Sequence, residues 1–113
     1  MQIHLQTDLR ASDHERMARH IEGVLEQALG RVADSVTRVE AHVAGGEGHA
    51  RTGDERFACT LEARLVGLDP VAVSEAAPTE HQAIHGAVDK LKRAVESALS
   101  RQAAHRRAAG DDA

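Results

Sequence analysis

Lys90, Arg93 and Arg101, with Ser97 between the last two, recur at helical spacing near the end of the chain. Lys92 flanks them, and Arg106 and Arg107 follow. Between residues 90 and 107 there are six lysines and arginines and one acid, Glu96. That is a local charge of +5 in a chain of net −4, which leaves −9 on the rest. Spaced cations on one helix face suit phosphate binding: they neutralise phosphates, release counterions and give salt-sensitive, sequence-independent affinity. Double-stranded RNA, read mainly through backbone and shape, is a natural target for such a face. The same residues also suit an ordinary solvated helix, where cations near the C-terminal end complement the dipole. The acidic remainder would repel RNA, so RNA binding requires a two-sided molecule with its acids turned away.

Other candidate chemistry is sparse. His81 and His85 stand four apart, one helical turn, which suits a metal but needs a third ligand. No His-Glu-x-x-His pattern is present, and no spacing singles out Glu80 or His14 as the missing ligand. The expectation is therefore no metal and no cofactor, with these histidines facing solvent or RNA. Eight histidines would add positive charge near pH 6.5 and so strengthen RNA binding in acid. Cys59 alternates with Phe57 and Leu61 and reads as a small buried hydrophobe, with no base beside it to make it a nucleophile. The glycine-rich stretch from Gly45 to Gly53 lacks the Lys-Ser/Thr ending of a phosphate loop, and Asp54-Glu55 implies no pocket. Nothing points to an enzyme or a small-molecule substrate. Phe57 is the sole Phe, Tyr or Trp, so stacking on bases is nearly excluded as a binding device.

The elements that position these residues are legible in the patterning. Thr79-Glu80-His81-Gln82 is a Thr-x-x-Gln capping box preceded by Pro78. It opens a helix whose apolar stripe is Ile84, Ala87, Val88, Leu91, Ala94, Val95, Ala98 and Leu99. Gln2–Thr7 alternates as a half-buried strand. Ser12-x-x-Glu15 is a second capping box, and the helix after it runs along Met17, Ile21, Val24, Leu25, Ala28, Leu29 and Val32, with its exit at Asp34-Ser35. Thr37 to Val43 alternates again, with Val39, Ala41 and Val43 opposite Arg38, Glu40 and His42. A loop over 45–54 precedes the clearest strand, Arg56 to Leu65. Gly67-Leu68-Asp69-Pro70 is turn chemistry, and Val71-Ala72-Val73 is a short last strand. The order is β-α-β-β-β-α, an α+β domain. It predicts a four-stranded mixed sheet with one wet face, two helices packed on the other, and a parallel first pair. Residues 1–101 form the domain, and 102–113 are expected to be a basic, then acidic, frayed tail. No apolar run approaches a membrane span, and the lone cysteine leaves no intrachain disulfide, so a cytoplasmic protein is expected.

Ala83-Ile84-x-Gly86-x-x-Asp89-Lys90-Leu91-x-Arg93 at the end of this order resembles the ribosome hibernation promoting factor / ribosome-associated inhibitor A family. The opening Met1-Gln2-Ile3, the stretch Thr37-Arg38-Val39-Glu40-x-His42, and Glu62-Ala63-Arg64-Leu65-x-Gly67-x-x-Pro70-x-Ala72-Val73 are similar to it as well. The resemblance spans roughly residues 1–101. It implies a non-enzymatic protein that binds the small ribosomal subunit, its RNA and proteins, between head and body. There it would block the mRNA and tRNA sites and act in stress and stationary phase. The RNA-binding residues it implies are Lys90 and Arg93, then Lys92, Arg101, Arg106 and Arg107, with Arg16 and Arg31 on the first helix. The chain departs from the family in its net acidity, in Val32 and His81 at usually aromatic positions, and in the Leu68-Asp69-Pro70 turn. The alternative is a protein-interaction module, such as a modulator of a transcription factor, that uses its acidic surface on a basic partner.

Overall fold

In the computed structural model, residues 1–7, 11–45 and 57–111 are described, with the backbone alone for 11–13 and 109–111. Four strands and two helices follow the order β1 (Gln2–Thr7), α1 (Ala11–Leu29), β2 (Val36–Gly45), β3 (Phe57–Leu65), β4 (Val71–Ala77) and α2 (Glu80–Asp111). The sheet order is β1-β2-β3-β4. β1 and β2 are parallel, Ile3 opposite Val39 and Leu5 opposite Ala41. β2–β3 and β3–β4 are antiparallel, which places Val39 beside Ala63 and Leu61 beside Val73.

Alternation within each strand sends one set of side chains to the core and the other to water. Val39, Val43, Cys59, Leu61 and Ala63 are buried under the helices. His4, Gln6, His42, Thr60 and Arg64 lie on the open face, where Arg38 pairs with Glu40 at 2.8 Å and Arg64 with Glu62 at 3.6 Å. Ile21, Leu25 and Leu29 of α1 meet Ile84, Leu91 and Val95 of α2 in one aliphatic core. Among the described residues no polar or charged residue is buried, and no helix is long and apolar enough to cross a membrane.

Several boundaries differ from the patterning. α1 already includes Ala11, and the Ser12 side chain lies outside the described residues, as do Arg56 and the loop beyond Gly45. α1 tightens into a 3-10 segment, Gly30–Ser35, before the chain leaves for β2. β4 extends four residues beyond Val73 to Ala77, which pairs with Phe57 at the start of β3. The largest difference is at the C-terminus. The apolar stripe fades after Leu99, yet α2 runs through residue 101 without a break and reaches Asp111. Ala103, Ala104, Arg106, Arg107 and Ala108 are strong helix formers, and propagating an existing helix avoids the unfavourable nucleation step.

Candidate nucleic-acid interface

α2 is the element that carries the cations, and its start is set locally. The Gln82 backbone N–H donates to Thr79 Oγ1 at 3.1 Å, and the Ala83 N–H to the Thr79 carbonyl at 3.0 Å. The Thr79 hydroxyl in turn donates to Gln82 Oε1 at 3.2 Å. The glutamine therefore holds the capping hydroxyl rather than reaching the cap's backbone N–H, the partner a capping box usually gives it.

From that start the helical register distributes the basic residues. At about 100° per residue, Lys90, Arg93, Ser97 and Arg101 share an arc of about 80° on one flank of the buried stripe. That flank runs along β4. Lys90 Nζ donates to the Ser74 carbonyl at 2.9 Å and to Glu75 Oε1 at 3.0 Å. Arg93 and Arg101 are exposed, and Arg101 Nη1 donates to Ser97 Oγ at 3.3 Å. The row therefore divides into one lysine tied to the sheet edge and two arginines that face outward.

Gly86 permits the Lys90 anchorage. A Cβ there would collide with the Glu75 side chain, 2.7 Å from its Cγ. The missing side chain lets the Glu75 carboxylate lie against the helix one turn before Lys90. Gly86 and Lys90, four apart in the motif, thus meet the same carboxylate.

Lys92 falls on the opposite flank of α2, the side of His85 and Glu96, about 100° from Arg93. Arg16 and Arg31 are exposed and border hollows between the two helices, Arg16 with Glu80 and His81, Arg31 with Glu96 and Leu99. Arg106 and Arg107 lie exposed on the continuation of α2, and Arg106 borders the hollow beside the β3–β4 turn at Gly67–Val71. Apart from Lys90, which is tied to Glu75, the arginines and lysines singled out in the sequence thus form two groups. Arg93 and Arg101 sit on the β4 flank, leading to the helical extension with Arg106 and Arg107. Arg16 and Arg31 border the hollows between the helices, and Lys92 lies exposed on the flank of α2 that carries His85 and Glu96.

Among the described side chains of α1, the acids lie away from the hollows between the helices. Glu15, Glu22 and Glu26 fall within an arc of about 40° on the flank turned from α2. Arg16 and His20 occupy the other flank.

The chain has the fold of two solved proteins. One is the N-terminal domain of Thermus thermophilus Protein Y, 22% identical, with a TM-score of 0.62 over 82% of this chain and 93% of that one. The other is a ribosomal subunit interface protein from Coxiella burnetii, 11% identical, with a TM-score of 0.62 over 88% of this chain and 99% of that one. No protein-family model and no curated protein sequence matches the chain. At these identities the shared property is the fold, which is the one the sequence resemblance implied.

Two features were out of reach of the patterning. One is the Glu75 partner of Lys90, which belongs to another element. The other is His20, a half-buried histidine of α1 that comes within reach of His81 and His85. Its Nε2 is 3.3 Å from His85 Nε2. His85 is held below its ordinary pKa, first by burial, then by its neighbours His81 and His20, with Asp89 acting in the opposite direction. Cys59 is fully buried, as its alternation with Leu61 suggested, and burial pushes its thiol pKa up to about 12.

Proposed function

We propose that this chain is a ribosome-associated translation inhibitor of the hibernation type. It binds the small ribosomal subunit through RNA backbone and fills the mRNA and tRNA path with its bulk. The observation that carries this reading is the fold, shared with a ribosomal subunit interface protein, combined with an exposed cationic row on an acidic chain. Arg93, Arg101, Arg106 and Arg107 supply the principal grip, and Arg16, Arg31 and Lys92 a second contact. Lys90 contributes to this surface from its place against Glu75. With Phe57 half-buried in β3 and no other Phe, Tyr or Trp, the grip is electrostatic rather than stacked. The acids Glu15, Glu22 and Glu26 then face away from the RNA.

The deciding experiment is co-sedimentation with purified small subunits. Association at about 50 mM salt that falls steeply by about 200 mM is expected for several phosphate contacts. Failure to sediment at low salt overturns the proposal. Added protein should also stop translation in a reconstituted system and compete with mRNA for the subunit.

The acidic flank of α1 supports a second reading, a module that docks a basic protein partner. Capture of such a partner after nuclease treatment, with ribosomal components absent and disruption by charge reversal of Glu22 and Glu26, would establish it instead.

A further inference from the structure

Three imidazoles from two helices meet beside the inter-helix hollow that Arg16, Met17, His20, Glu80, His81 and Ile84 line. His81 and His85 are one turn apart on α2, and His20 projects from α1. Each offers one ring nitrogen, and the three nitrogens lie within 4.8 Å of one another. The ring centroids are 4.2 Å apart for His81 and His85, 5.1 Å for His20 and His81, and 5.3 Å for His20 and His85.

The distances match a chelate. Nitrogens bound to one tetrahedral ion at about 2.0–2.1 Å stand about 3.3–3.4 Å from each other. His20 Nε2 and His85 Nε2 are already 3.3 Å apart. Bringing His81 to the same separation requires a shift of about 1.5 Å at most, within the broad torsional range of an imidazole about χ2. The site is also accessible: His81 is exposed, and His20 and His85 are half-buried.

We propose that His20, His81 and His85 bind one divalent transition-metal ion of the zinc class. An all-imidazole donor set selects zinc, copper, nickel or cobalt over magnesium and calcium, which prefer oxygen. Three protein ligands leave the fourth tetrahedral position to water. The ion would tie α1 to α2 beside that hollow, so its binding free energy adds to the stability of the fold. The site is independent of the ribosome reading, and its test involves no ribosome.

The test uses untagged, chelator-stripped protein titrated with Zn2+ against a chromogenic chelator, and with Co2+ followed by visible absorption. One ion per chain is expected, with a tetrahedral Co2+ spectrum that has nitrogen but no thiolate character. Saturating Zn2+ should raise Tm by about 5–10 °C. His20→Ala, His81→Ala and His85→Ala should each weaken binding by about tenfold or more, because each removes one of three ligands. His42→Ala, on the open face of the sheet, should leave binding unchanged. Imidazole 15N spectra of the unaltered protein should show Zn2+ shifts at three histidines, a reading that does not depend on any variant folding. A dissociation constant above about 100 μM would reduce the cluster to a hydrogen-bonded set of rings and overturn the proposal. So would an affinity that survives His20→Ala, since the ion would then rest on the His81–His85 pair alone.

Discussion

Lys90 of α2 and Glu75 of β4 are joined at 3.0 Å, with the Lys90 ammonium also donating to the Ser74 carbonyl. The pair ties the cationic helix to the edge strand, and it removes one of the charges of the basic row from an outward-facing role. Both side chains remain partly exposed, so the pair is worth no more than about 1 kcal/mol. Lys90→Ala should lower stability by that amount or less in urea titrations. Arg93→Glu and Arg101→Glu should leave the urea midpoint within error, weaken association with small subunits, and each reduce the salt slope by about one. A slope unchanged by both arginine substitutions would show that the β4 flank does not touch RNA.

Gly86 and Gly23 are both helical glycines, and they should respond oppositely to alanine. A Cβ on Gly23 meets nothing within 4 Å, so Gly23→Ala should stabilise by about 0.5–1 kcal/mol through helix propensity alone. At Gly86 the same gain is opposed by displacement of Glu75 and loss of the Lys90 pair. Gly86→Ala should therefore fall short of Gly23→Ala in thermal melts. Equal gains at the two sites would mean that Glu75 moves aside at no cost.

The Cys59 thiol makes stability fall in strong alkali. Its pKa is about 12 in the fold, whereas the unfolded thiol titrates at 9.0. Above pH 9 the unfolded state sheds a proton that the folded state keeps, so stability falls as pH rises toward 12. By pH 10 this costs on the order of 1 kcal/mol. Urea titrations at pH 8 and pH 10 should show a loss of that size in the unaltered protein beyond any loss in Cys59→Ala. At pH 8 the native thiol should resist alkylation until urea unfolds the chain.

The far end of α2 should unwind without unfolding the domain. Ala103, Ala104, His105, Arg106, Arg107 and Ala108 are all exposed, so these turns bury little. Ala104→Pro should lower far-UV helical signal while the urea midpoint stays in place, because proline costs about 3 kcal/mol only where the helix is needed. If Arg106 and Arg107 grip RNA from a rigid helix, the same substitution should weaken subunit binding. A shifted midpoint would mean that these turns belong to the cooperative core.

The chain's local patterns determined its element order, its core and its cationic helix. Two-residue alternation in Thr37–Val43 and in Phe57–Leu65, and three-to-four spacing from Ile84 to Leu99, are one-dimensional signals of burial. Cys59 could be placed inside for the same reason. The end of α2 was not visible in that way, because apolar spacing reports packing and not helix propensity, and the Ala/Arg-rich turns after Leu99 persist without packing. Which cations face outward was decided only in three dimensions. Lys90, Arg93 and Arg101 share a helical flank, but β4 brings Glu75 to Lys90 and leaves the two arginines outside. The third histidine of the cluster is the clearest case. His81 and His85 are linked by helical register, whereas His20 stands 65 residues before His85, and only the packing of α1 on α2 brings their nitrogens to 3.3 Å.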